Sequence, residues 1–86
     1  MKRALVTGAG HRLGRAMALY LAGRGYDIAV HYASSAGGAQ DVVNQIKSLG
    51  QNAVAVQADL LDEDKAQTLL PRAAQALDGP VTCLIN

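Results

Sequence analysis

Four continuous apolar runs alternate with three segments of helical periodicity, and this order restricts the chain to a small set of folds. The runs are Ala4–Val6, Ile28–Val30, Val54–Val56 and Val81–Ile85. Continuous rather than alternating apolar residues are typical of strands that are buried on both faces of a sheet. The order β-α-β-α-β-α-β with short loops therefore predicts parallel strands joined by right-handed crossovers.

The three intervening segments each space apolar residues as one face of a helix requires. The predicted faces are Leu13, Ala16, Met17, Tyr20 and Leu21; then Ala39, Val42, Val43, Ile46 and Leu49; and finally Ala66, Leu69, Leu70, Ala73 and Leu77. Pro71 predicts a kink near Lys65–Pro71, because a proline inside a helix removes a backbone hydrogen bond. The whole pattern predicts a Rossmann-type α/β parallel sheet of strand order 3-2-1-4, with helices on both faces.

Length and charge narrow the range of functions. The chain has 86 residues, which is enough for one domain, and we treat residues 1–86 as a partial dinucleotide-binding domain. Eight Lys and Arg are dispersed among seven acids, so the net charge is +1 and no basic stripe for nucleic acid exists. No apolar run is long enough for a transmembrane helix, and Cys83 is the single cysteine. We expect a cytoplasmic protein whose partners include neither nucleic acid nor membrane.

The segment from Thr7 to Gly14 reads T-G-A-G-H-R-L-G, between the first predicted strand and the first predicted helix. A glycine directly after a strand allows a tight turn, and the N–H groups of the following helix N-terminus bind a pyrophosphate. A glycine at position 14 also lets the helix pack close to the sheet. We assign to a cofactor site the residues Gly8, His11, Arg12, Leu13 and Gly14. The alternative is a purely structural turn, since glycines serve any strand-to-helix connection.

The spacing of Thr7, Gly8 and Gly14 resembles the T-G-x-x-x-G-x-G turn of the short-chain dehydrogenases/reductases. Arg12 stands where that family usually has its middle glycine, and T-G-x-x-x-R-x-G is similar to the pteridine-reductase branch, whose members reduce pterins and folates with NADPH. The resemblance continues through His31–Tyr32, Ser34–Ser35, Ala58–Leu60 and Leu84–Asn86, and thus covers the whole chain.

The end of the second predicted strand favours NADP(H) over NAD(H). An NAD site commonly has an acid there for the ribose 2′-hydroxyl, whereas this chain has none between Asp27 and Asp41. Ser34 and Ser35 supply small hydroxyls for a 2′-phosphate, and Arg12, with His11 beside it, supplies a cation suited to phosphate. Alternatively, the two serines only cap a loop and Arg12 is a solvated charge.

Two further strand ends face the same edge of the predicted sheet. The resemblance implies that Asp59 and Leu60 contact the adenine and that Asn86 approaches the cofactor from the fourth strand. Asp59 alternatively serves as an N-terminal cap for the next helix. Neither His11 nor His31 has a cysteine or acid at metal-ligand spacing, so we expect no metal site.

The family's catalytic Tyr-x-x-x-Lys pair cannot be placed in this sequence. Neither Tyr20 nor Tyr26 is followed four residues later by lysine, so we assign no catalytic residue. We expect that region to follow Asn86, and the 86 residues alone to be inactive. A small-molecule substrate is then a partner only when the other half is present. We expect the chain to be either the NADP(H)-binding half of a reductase similar to the short-chain dehydrogenases/reductases, with pterins or other small carbonyl or imine compounds as substrates, or an inactive nucleotide-binding or self-associating fragment.

The fourth predicted strand offers a way for the chain to associate with itself. In the order 3-2-1-4 the apolar segment Val81–Ile85 lies at one end of the sheet, and neither lysine nor proline interrupts it. Such an edge pairs readily with another chain. We therefore expect a homo-oligomer formed through this strand, about a two-fold axis.

Overall fold

Three helices and four strands follow one another in the predicted order. The structure, a computed structural model, describes residues 2–9 and 12–85. The elements are β1 Arg3–Val6, α1 Arg12–Gly23, β2 Asp27–Tyr32, α2 Ala36–Ser48, β3 Ala53–Gln57, α3 Glu63–Ala76 and β4 Cys83–Ile85.

The four strands form one parallel sheet in the order β3-β2-β1-β4, which confirms the predicted topology. Ala4 of β1 lies opposite Ile28 on one side and Cys83 on the other. Since all strands run the same way, their carboxyl ends meet at one edge of the sheet, and each of the three helices begins there.

Helices cover both faces of the sheet, also as predicted. One core joins α1 and α2 to β1 and β2 through small and branched side chains, among them Ala18, Val42 and Ile46. The second core joins α3 to the opposite face through Leu69, Ala73 and Leu77. The strands differ in burial, however. β1 and β2 are almost wholly buried, whereas β3 and β4 are partly exposed because they lie at the two ends of this sheet.

The buried face of α1 differs from the predicted one. Leu13, Ala16 and Tyr20 are exposed, and the buried residues are Ala18, Leu21 and Ala22, with Met17 partly buried. The buried face of α1 is thus shifted by about one residue along the sequence relative to the predicted face. Gly14 lies against the backbone of the preceding turn and thereby fixes which side of the helix faces the sheet.

The other two helices follow their predicted faces except at one leucine each. Leu49 is exposed because α2 ends at Ser48 and Leu49 is its C-terminal cap. Leu70 of α3 is also exposed, at the rim of a groove between α3 and the sheet. Pro71 lies inside an uninterrupted α3, and the predicted kink stays a prediction.

Candidate cofactor site

Hydrogen bonds tie the ends of all four strands together at the carboxyl edge of the sheet. Thr7, which follows β1, donates both its backbone N–H and its hydroxyl to the carbonyl of Ile85 in β4, at 2.9 and 3.2 Å. The N–H of Ala58, after β3, donates to the carbonyl of Tyr32 in β2 at 3.1 Å. The predicted site residues therefore follow strands that are held in fixed relative positions.

The glycines of the first turn each have a distinct structural reason. Gly8 has a φ of +63°, a left-handed conformation that side chains disfavour. A Cβ at Gly14 would lie 2.8 Å from the Gly8 carbonyl carbon and 2.9 Å from the Ala9 Cα, and closer still to the Gly8 oxygen. Both glycines thus allow α1 to begin close against the end of β1, as the sequence predicts.

Arg12 and Leu13 form the start of α1. Arg12 is the first residue of the helix and is exposed, and the first turn carries no acidic residue. Leu13 is 77% exposed and packs against neither core. The N-terminal end of a helix attracts anions, and a cation beside it increases that attraction. His11, assigned to this site from sequence, lies outside the described residues.

Ser34 and Ser35 lie between β2 and α2. Ser35 occupies the N-cap position of α2, and its carbonyl accepts the N–H of Ala39 at 3.0 Å, but its side chain makes no capping hydrogen bond. The first turn of α2 also lacks an acid. The Ser35 hydroxyl therefore does not cap α2, whereas the alternative that the two serines only cap a loop stays a prediction.

Asp59 and Leu60 follow β3 at the same edge. One carboxylate oxygen of Asp59 accepts the N–H of Leu61 at 3.0 Å, so Asp59 orders its own turn. The cap of α3 is instead Asp62, whose carboxylate accepts the N–H groups of Asp64 and Lys65 at 3.1 and 3.3 Å. The alternative role of Asp59 as helix cap is therefore wrong. Asn86, the remaining predicted residue, lies outside the described residues.

The site contains one organising residue that the sequence assignment missed. His31, near the end of β2, is only 3% exposed, and its ring accepts the Gly8 N–H at Nδ1, 3.0 Å away. Its Nε2 lies 2.8 Å from the carbonyl oxygen of Ala58. A histidine inside an otherwise apolar buried strand was the available signal, since a buried polar ring needs partners.

Residues 2–9 and 12–85 contain neither a membrane-spanning helix nor a cluster of three metal-ligating side chains. No helix there has both the length and the apolar character needed to cross a membrane. Nor does any cluster of three or more His, Cys, Asp or Glu side chains in this part of the chain suit a metal ion. Cys83 is a free thiol, partly buried against the α1–α2 core.

Comparison with known proteins decides the family. Residues 2–86 match the model of the short chain dehydrogenases. The chain belongs to this family. Trihydroxynaphthalene reductase PfmaI of Pestalotiopsis fici is 47% identical over 74 residues, which are 86% of this chain and 26% of that protein.

Solved structures of family members show the same fold. A short chain dehydrogenase from Burkholderia cenocepacia in complex with NADP superposes with a TM-score of 0.93 at 44% identity, over 99% of this chain and 34% of that one. FolM alternative dihydrofolate reductase 1 from Brucella suis, also in complex with NADP, gives a TM-score of 0.86 at 35% identity, over 96% and 32%. This short chain dehydrogenase sequence thus spans about a third of the length of these relatives.

Proposed function

We propose that this chain binds NADP(H) as the cofactor-binding part of a reductase. The observation that carries the proposal is the composition of the first turns of α1 and α2, neither of which contains an acid. Arg12 at the start of α1 is exposed, and the Ser35 hydroxyl at the start of α2 makes no capping hydrogen bond. Helix N-termini, a guanidinium and hydroxyls are the groups that bind phosphates. The cofactor carries a pyrophosphate and, in NADP(H), a further 2′-phosphate.

The preference for the 2′-phosphate follows from charge. No acid lies between Asp27 and Asp41, so the loop after β2 has no carboxylate to repel that phosphate. Ser34 is exposed in this loop, and Ser35 begins α2. The NADP bound to the Burkholderia and Brucella proteins supports the same cofactor here.

The residues present would hold the adenosine end of the cofactor. Gly8 and Gly14 bring the start of α1 to the pyrophosphate, and Asp59 and Leu60 border the adenine. When bound, NADPH supplies a hydride for reduction of a substrate. We expect the groups that bind the substrate and supply the catalytic acid to come from the part of the relatives' length that this chain does not span.

The cofactor preference is testable by adding one negative charge. Ser35→Asp places a carboxylate at the start of α2, and we expect the NADPH dissociation constant to rise on the order of tenfold while that for NADH changes little. Ser48→Asp is the matched control, because it adds the same charge at the far end of the same helix. Equal affinities for NADH and NADPH in the unmodified protein would contradict the proposal.

A finer proposal is that the reductase is of the pteridine-reductase type. Arg12 in T-G-x-x-x-R-x-G and the His31–Tyr32 pair support it, as does similarity to the FolM structure from Brucella. We expect the protein at its natural length to oxidise NADPH with dihydropterin or dihydrofolate and to do so more slowly with simple ketones. NADPH absorbance at steady state measures both, and turnover restricted to ketones would contradict this assignment.

A further inference from the structure

We infer that His31 is a positioning residue, which holds the glycine-rich turn in register with the end of β3 and so determines cofactor affinity without touching the cofactor. The inference rests on the proposed NADP(H) site and deepens it. It starts from a buried ring with two hydrogen bonds to two different strand ends.

His31 accepts the N–H groups of two successive residues of the turn, Gly8 and Ala9. The Gly8 N–H donates to its Nδ1 at 3.0 Å, and the Ala9 N–H donates to its backbone carbonyl at 3.1 Å. These N–H groups therefore point toward β2. The amide groups available to a pyrophosphate must come later, from the start of α1, and their direction depends on how the turn is anchored.

The same ring fixes the end of β3. Nδ1 accepts a hydrogen bond and therefore carries no proton, so Nε2 is the protonated nitrogen and donates to the Ala58 carbonyl at 2.8 Å. Ala58 directly precedes Asp59, which we assign to the adenine. His31 thus connects the pyrophosphate end of the site to its adenine end through one rigid side chain.

Three substitutions of His31 test the contributions of its two ring hydrogen bonds separately. The amide oxygen of His31→Asn can take the place of Nδ1 and accept the Gly8 N–H, while the bond to Ala58 is lost. The longer His31→Gln places an amide nitrogen near the position of Nε2 and keeps only the Ala58 bond. His31→Phe keeps a ring and loses both bonds, which leaves a buried N–H without a partner.

The experiment measures NADPH dissociation constants for the protein at its natural length. We expect His31→Asn and His31→Gln, which each lose one of the two hydrogen bonds, to bind NADPH several-fold more weakly than the unmodified protein, and His31→Phe, which loses both, to bind on the order of tenfold more weakly. Ile46→Ala is the control for a merely structural effect: it removes packing from the α1–α2 core, so thermal stability falls while NADPH affinity is retained. If His31→Phe does not fold, the Asn and Gln pair decides.

Ring nitrogen NMR gives an independent readout. ¹⁵N shifts of the unmodified protein should show His31 protonated at Nε2 and unprotonated at Nδ1. A proton on Nδ1, or NADPH affinity in the folded Asn, Gln and Phe variants equal to that of the unmodified protein, would overturn the inference. Failure of the unmodified protein to bind NADPH is a different result, because it rejects the proposed function itself.

Discussion

The three helices begin at the same edge of the sheet, yet their first turns differ. α3 neutralises its own N-terminus: Asp62 caps it, and Glu63 and Asp64 lie in its first turn. α1 and α2 have no acid in their first turns, and Ser35 makes no side-chain cap. Because a helix N-terminus carries a partial positive charge, the acids of α3 balance it internally, whereas no acidic side chain in the first turns of α1 and α2 does so. The N-terminus of α3 is therefore stabilised by its own side chains, whereas the N-termini of α1 and α2 have no carboxylate that would repel a phosphate.

The largest effect should come from removing the close approach of α1 to the turn. Gly14→Ala forces a Cβ into the backbone of Gly8 and Ala9, so we expect the free energy of unfolding to fall by about 1–3 kcal/mol and NADPH binding to weaken with it. Denaturant titration and NADPH fluorescence measure the two quantities.

Gly23→Ala is the matched control within the same helix. Apart from its neighbours in the same helix, no atom lies within 4 Å of a Cβ at Gly23, and alanine favours helix, so stability should rise by about 0.5–1 kcal/mol with no loss of affinity. Equal effects of the two substitutions would mean that the contact between Gly14 and the turn does not shape the site.

Smaller effects are expected when the N-cap residues of α3 and α2 are each replaced by alanine. Asp62→Ala removes two hydrogen bonds to the first turn of α3 and should lower the free energy of unfolding by about 1 kcal/mol, with unchanged NADPH affinity. Ser35→Ala removes no cap, so its stability should change by less than about 0.5 kcal/mol while NADPH binds several-fold more weakly. Calorimetry gives stability and ligand affinity for both. A stability loss in Ser35→Ala as large as that in Asp62→Ala would remove the distinction.

The same comparison explains what the sequence could predict. The parallel strands followed from the alternation of apolar runs and helices, and their order from the usual arrangement of a Rossmann-type sheet. The α2 face was predicted correctly at Val42 and Ile46 because that helix has one apolar side. α1 has apolar residues all round, so periodicity could not choose between Tyr20 and Ala18. The contact of Gly14 with Gly8 made that choice.

For a related reason, the sequence could indicate that a buried His31 needs hydrogen-bond partners but not which groups those partners are. Its ring contacts Gly8 and Ala58, which are 23 and 27 residues away along the chain. Which buried side chain faces which turn depends on strand register, and a one-residue shift would direct the ring to the other face. The sequence predicted the strand ends and the glycine turn, whereas the link between them required the folded sheet.

The smallest effect on stability is expected from a substitution in β4. This strand has an edge that can form a sheet with a second chain, whereas an exposed residue outside the strands cannot. Among the described residues β4 is the last strand beside β1, and Leu84 within it is 51% exposed. If the 86-residue chain self-associates through this strand, Leu84→Lys should shift it toward monomer in sedimentation at micromolar concentrations, because a lysine on an edge strand opposes pairing. Leu61→Lys is the control, since Leu61 is 97% exposed and outside any strand. A chain that is already monomeric would contradict self-association through β4. An equal response in both variants would show that the exposed leucines, and not the strand edge, determine association.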